Sequence, residues 1–401
     1  MEGVENGDSG PLAQPARLIE LDGLRLIGVG AVFVFHCCRV FAFGSWYVVD
    51  PDRSMAATVL ATLLLQWMMP LLFAVAGAAL CCSLRRRPVP ELLRERAFRL
   101  LVPFVGLGLL VLGPFQIYVD RLSRGAFAGS FLKFYPHAFD GLDAFGGNFP
   151  WHGVHLWYLP VLFTLTLLWL PLLRHAPGGS LLKRITMRLS PLWVLLPFSL
   201  LLAGADLLGE WVDPGFLRAM GGWTPFTYLV CLGLGAALVV APKMRSAVRS
   251  ATWIAVAIAA GTSSLDLLIR YAWRPPIGYA SAAFVGVLLL RNVCAFAWVL
   301  ALFGVAGRFF RRENGFVRYM TRAVLPLYIL HQPVIVAVAH YGTTRWQAPA
   351  ELKLPVLAAA SLASTLLLYE FAIRRIKPLR LAFGMRIEKR PRQPGSQAEP
   401  T

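Results

Sequence analysis

The stretch RLIELDGLRLIGVGAVFVFHCCRVFAF, residues 17–43, decides how the chain is read. From Leu24 to Phe43 it runs 20 residues, enough for a helix to cross a bilayer core of about 30 Å. Yet it carries Arg25, His36 and Arg39, and ionisable groups inside a span are costly and mark function. At about 100° per residue, the steps from Arg25 to His36 return to within about 20° of one face. Arg39 lies about 40° to the other side and Asp22 about 60° away. All four share one polar stripe, with Arg25 near one membrane surface and His36 about 16 Å deeper. Such a stripe faces a protein interior or a wet cavity.

The rest of the chain agrees with a membrane setting. Of 401 residues, 57% are hydrophobic and only 15% charged, against about 25% charge in soluble domains. The formal charge of +18 comes from Lys and Arg in short loops between apolar runs, as cytoplasmic loops require, so no nucleic-acid partner is implied. The six cysteines fall in or beside apolar runs without CxxC spacing, which points to small apolar filler; no metal site is indicated.

Ten spans of bilayer length can be drawn, at 24–43, 56–82, 98–118, 153–173, 191–208, 225–241, 251–269, 283–305, 323–340 and 354–373. Alternate connections hold RRRPVPELLRER (85–96), RHAPGGSLLKRITMR (174–188), PKMRSAVR (242–249) and GRFFRRENGFVRYMTR (307–322), and the tail after 373 falls on the same side. With Arg17 and Arg99 these segments carry 27 of the 39 Lys and Arg residues. The positive-inside rule therefore places both termini in the cytoplasm. The expected fold is all-α, a polytopic integral membrane bundle of about ten transmembrane helices. Residues 1–16 read as a disordered cytoplasmic tail, 17–375 as one membrane domain, and 376–401 as a basic and then disordered cytoplasmic tail. The long outer connection 119–152, rich in Gly, Asp and aromatics, has the length of a lid or binding loop.

RLIELDGLRLIGVGAVFVFH resembles the signature of the acyltransferase family 3 membrane proteins, in which an Arg precedes a His with ten residues between them on the first span; Arg25 and His36 match it. Arg96 and Arg99 in RERAFRLLVPF are similar to the family's Arg pair entering the third span. HLWYLPVLF (155–163) and LPLYILHQPVIV (325–336) resemble its fourth and late spans, and with QIY at 116–118 they look closest to the branch of the osmoregulated-glucan succinyltransferase. Many members of other branches carry a Glu early in the fourth span; here that position is apolar, so no role for that Glu carries over.

The resemblance implies an integral membrane O-acyltransferase that moves an acyl group, acetyl or succinyl, from cytoplasmic acyl-CoA to a hydroxyl of a cell-surface or periplasmic glycan. No permanently bound cofactor is implied; acetyl-CoA or succinyl-CoA would be a donor substrate. His36 would be the general base, since burial penalises a charged imidazole and a neutral one can take a hydroxyl proton. The bland alternative is an interhelical hydrogen bond. Arg25 would line the donor passage, with Asp22 as its partner three residues away, or else it snorkels to the interface. Arg96 and Arg99 would clamp donor phosphates, whereas Arg85, Arg86 and Arg87 read as topogenic charge. Arg39, His155, Trp157 and His331 are candidates for lining the acceptor side. Their competing readings are snorkelling for Arg39, an interfacial aromatic belt for His155 and Trp157, and a structural bond for His331. The rival class is a transporter or flippase of a polar solute, which also needs intramembrane charge and a central cavity; no internal repeat supports it.

Overall fold

The structure, a computed structural model, describes residues 19–174, 191–212, 221–279, 281–310, 312 and 314–385. The tail 1–16, the basic connection 175–188 and everything past 385 lie outside the described residues. Among the described residues the regular structure is helical, with one isolated bridge, Leu142 to Phe149, in the long loop. Eight helices are long and apolar enough to cross a membrane, and a ninth span arises if Pro225–Val240 and Pro242–Ser250, bent by 101°, count as one. Pro191–Val212 is a further apolar helix of 22 residues. Each of the ten spans drawn from the sequence thus coincides with a helix.

Helix α1, Ile19–Phe41, is the hub. Against it pack α2 (Met55–Leu65), α3 (Met68–Leu84), a long helix Ala282–Phe309, the helix Gly315–Tyr341 and the helix Ala350–Leu368. The sequence suggests one unbroken second span over 56–82; the structure breaks it between α2 and α3. The reason lies in Pro70, whose ring has no N–H for Gln66 and crowds the carbonyl four residues back. The disturbed turn is satisfied from elsewhere. Trp223 Nε1 donates to the Leu65 carbonyl at 3.1 Å, and the Gln66 side chain donates to Asp266 at 3.0 Å and accepts from Ser263 at 2.8 Å.

The third span is longer than expected. It runs without interruption from Val89 to Ser123, as α4 (Val89–Val102), a π-helical stretch Pro103–Leu112 and α5 (Gly113–Ser123). Helix α6 is Tyr158–Arg174, α7 is Pro191–Val212, α8 is Pro225–Val240, α9 is Pro242–Ser250 and α10 is Thr252–Leu267. Ala282–Phe309 is α11, Gly315–Tyr341 is α12, Ala350–Leu368 is α13, and a short α14 covers Lys377–Ala382.

The closest helix pair is α3 with α8, and small residues make it possible. A Cβ on Gly77 would collide with the Leu232 carbonyl oxygen, and one on Gly235 with the Ala74 carbonyl oxygen. The two glycines let the backbones touch reciprocally. Helices α10 and α13 are the least buried spans, presenting Trp253, Ile254, Val356 and Leu367 outward as a lipid-facing surface.

Two loops close the end of the bundle where α1 finishes. Residues 42–54 are held by α13: Lys353 Nζ donates to Asp50 Oδ1 at 2.7 Å, Ser54 Oγ to Glu351 at 2.9 Å, and the Ala350 N–H to Asp52 at 2.5 Å. The long connection after α5 is gathered around Arg121. Its guanidinium reaches Asp120 at 2.6 Å, Asn148 at 2.9 Å and the Gly147 carbonyl at 2.8 Å. Arg124 and Ser123 donate to the Trp46 and Tyr47 carbonyls, at 3.1 and 2.8 Å, which ties the two loops together.

Candidate functional site

The polar stripe of α1 opens into two cavities, one near each end of the bundle. His36 and Arg39 line a cavity of about 520 Å³ beneath the two loops, together with Trp46, Trp151, Trp157 and Tyr271. Arg25 and Asp22 line the other, of about 980 Å³, with Arg96, Arg99, Tyr158 and Tyr328. The wall between them comes from two sequence motifs. In HLWYL, His155 and Trp157 face the first cavity while Tyr158 and Leu159 face the second. In LYILHQP, Gln332 lines the first and Tyr328 the second.

Three histidines meet in that wall. His36 Nδ1 lies 3.0 Å from His331 Nε2, and His331 Nδ1 lies 2.6 Å from the Tyr328 carbonyl oxygen. The His155 ring packs edge-on to that of His331, with centroids 5.1 Å apart. His155 Nε2 sits 2.9 Å from the Ile329 carbonyl, and Tyr328 Oη donates to the His155 carbonyl at 2.6 Å. Pro333 supplies a local reason for this knot. It lacks the N–H that would bond Ile329 inside α12, so that carbonyl is open to the imidazole of another helix. The His-Gln-Pro order in α12 and the His-Leu-Trp order before α6 are two halves of one contact.

The hydrogen bonds fix the tautomers. A carbonyl only accepts, so His331 Nδ1 carries the proton that points at Tyr328. With His331 neutral, its Nε2 accepts, and His36 Nδ1 must donate to it. The lone pair of His36 then resides on Nε2. A base whose other nitrogen is held by an oriented partner is the arrangement general-base catalysis needs. Trp46 stacks on His36, with centroids 6.0 Å apart and planes 21° apart.

The second cavity is rich in cations. Arg96 Nη1 donates to Thr166 Oγ1 at 2.9 Å, and Arg99 sits 3.8 Å from Glu95. Arg25 pairs with Asp22 at 3.3 Å, as the three-residue spacing implies. Arg87, read from sequence as topogenic, bonds Glu95 and lines the same cavity. Arg322 enters it from α12, Arg374 from the turn that follows Tyr369–Ile373 and Arg380 from α14, and sequence reasoning missed all three as lining residues. In the sequence they read only as loop charge. Among the described lining residues there are seven arginines and two carboxylates, Asp22 and Glu95, and Arg374 is itself paired with Glu370 at 2.7 Å.

The candidate residues therefore divide by cavity. His36, Arg39, His155 and Trp157 line the first, and Arg25, Arg96 and Arg99 the second. His331 is buried in the wall between them. His155 is buried against α12, with its ring bonded to the Ile329 carbonyl. For His36 the interhelical bond is real, and it is made by the same ring that lines the cavity.

The described helices form a multi-pass bundle of membrane-spanning length, with a polar cavity on each side of a histidine-bearing wall. The acyltransferase-domain family, the acyltransferase family 3 of the sequence resemblance, matches residues 18–370, and the chain belongs to it: it is a membrane acyltransferase. No curated protein and no solved structure matches the chain.

Proposed function

We propose that this acyltransferase takes its acyl group from acyl-CoA, acetyl-CoA or succinyl-CoA, in the arginine-rich cavity and delivers it to a hydroxyl of a surface glycan in the aromatic one. The observation that carries the reading is the wall: a base-ready imidazole on one side, a cluster of guanidiniums on the other. Coenzyme A presents phosphates at one end and a thioester at the end of a long arm, and guanidiniums hold phosphates by charge-assisted, bidentate bonds. Arg96, Arg99 and Arg25 would grip the donor, with Arg322, Arg374 and Arg380 completing the cluster. The glycan branch suggested by the HLWYL and HQP motifs fits aromatic rings that stack on sugars.

In this reading His36 Nε2 removes the acceptor hydroxyl proton as the oxygen attacks the thioester carbonyl. The C–S bond breaks, the ester C–O bond forms, and the imidazolium returns the proton to the departing thiolate. His331 keeps the His36 ring in the correct tautomer. By the positive-inside rule the arginine cavity and both termini would lie on the cytoplasmic side, where acyl-CoA is found.

Mass spectrometry of envelope glycans from cells with and without the gene tests this. Loss of an acetyl or succinyl mass increment from a glycan is the expected result. Glycans of unchanged mass at a changed location would replace the proposal with transport.

A further inference from the structure

The aromatic cavity holds one cation and no counter-charge among its described lining residues. Among the described residues, Arg39 is the only Lys or Arg lining it, and no Asp or Glu lines it. The guanidinium does not simply reach out to bulk water. Gly44, with φ +112°, turns the chain so that the Ser45 carbonyl accepts from Arg39 Nη2 at 2.6 Å. That bond anchors one nitrogen of the fork beside the cavity and leaves donors over. No carboxylate lies within 4 Å of it among the described residues. Arg53 is near enough to repel it and itself bonds only carbonyls, of Ala42 at 2.5 Å and Gly44 at 3.2 Å. Two neighbouring guanidiniums partnered by backbone oxygens are a cost that an arriving anion would relieve.

We infer that the acceptor is anionic: Arg39 binds a carboxylate or phosphate carried by the acceptor, close to the hydroxyl that is acylated. This rests on the acyl-transfer reading above and names the acceptor's class. The spacing sets the distance between the two groups. Arg39 follows His36 by three residues on α1 and so stands about one helical turn further out on the same side. A hydroxyl at His36 and an anion at Arg39 then belong to one sugar or to adjacent sugars. Trp46 and Trp157 border the same space and provide flat surfaces for the rings. An acidic sugar or a phosphate-substituted glycan has this chemistry; an amine-bearing acceptor finds no carboxylate among the described lining residues to pair with.

The test uses the full-length protein in phosphatidylcholine nanodiscs. Three matched oligosaccharides are titrated by tryptophan fluorescence: one with a terminal glucuronate, one bearing glycerol phosphate, one uncharged. At least one charged probe should bind about tenfold tighter than the uncharged one, the worth of one charge-assisted hydrogen bond. Arg39→Gln should erase that difference and Arg39→Lys should retain most of it. Which charged probe binds tighter distinguishes carboxylate from phosphate. Equal affinity for all three, binding of neither charged probe, or an unchanged preference in Arg39→Gln overturns the inference. If substituting phosphatidylglycerol for phosphatidylcholine abolishes the preference, the guanidinium serves a lipid headgroup and the inference is likewise overturned. Acetyl-CoA binding in the same discs reads the opposite cavity: its absence counts against the donor assignment, whereas its presence with no charge preference counts against the anionic acceptor alone.

Discussion

Lys353→Met isolates what holds the 42–54 loop over His36. Lys353 and Asp50 form an ion pair at 2.7 Å whose side chains are only 4% and 0% exposed. Asp50 also accepts the Asp52 N–H at 2.9 Å, so the carboxylate cannot swing out to water without unravelling the turn. Truncating the lysine strands a buried anion, and breaking a buried pair in this way costs about 3–5 kcal/mol. The double variant Asp50→Asn with Lys353→Met removes both charges and should recover most of that loss, because the net worth of a buried pair over neutral groups is small. Thermal unfolding in detergent measures the first effect. Acyl transfer and acetyl-CoA binding measure its reach: the loop carries Trp46 and Tyr47 at the aromatic cavity, so transfer should fall while donor binding in the other cavity holds. Equal destabilisation of the single and double variants would refute the reasoning, since the penalty would then lie in poorer packing rather than in a stranded charge.

Replacing Arg96 and Arg99 together by Ala should weaken acetyl-CoA affinity at least tenfold, at about 1.5–3 kcal/mol for each charge-assisted hydrogen bond to phosphate, while the protein still inserts; unchanged binding on purified protein would leave these residues a topological role only. Gly235→Val drives a side chain into the Ala74 carbonyl and should abolish the folded protein, whereas Gly261→Ala, where an added Cβ meets nothing within 4 Å, should be silent by expression and melting temperature. Tags on the N- and C-termini should report the same, cytoplasmic side; opposite sides would mean that one of the ten helices does not cross.

The spans and the stripe on α1 were legible because each is a local pattern. Apolar run length reports bilayer crossing, and a 3.6-residue period reports a shared face. The α2–α3 break was half legible: Pro70 and Gln66 stand out in the sequence, but the Trp223 and Asp266 side chains that stabilise the break come from distant helices. The site was legible one residue at a time and not as a geometry. His36 and His331 are 295 positions apart, and nothing local in either span says that their rings meet. Pro333 was a clue to the neighbouring contact alone: it leaves the Ile329 carbonyl without its intrahelical donor, and the imidazole that meets it is His155 from another helix. Arg322, Arg374 and Arg380 were hidden for the opposite reason. Topogenic arginines and ligand-binding arginines occupy the same ends of the same helices, and only the packed bundle separates those that turn inward.

Turnover of His36→Gln protein, measured beside its acetyl-CoA affinity, tests the central claim most directly. Gln can still hydrogen-bond His331 across the bundle, yet it cannot act as a base. The account predicts that donor binding and thermal stability stay near wild type while transfer falls about 10²- to 10⁴-fold, the usual worth of a positioned general base. Transfer retained at close to the wild-type rate would contradict it and leave His36 as an interhelical tie alone.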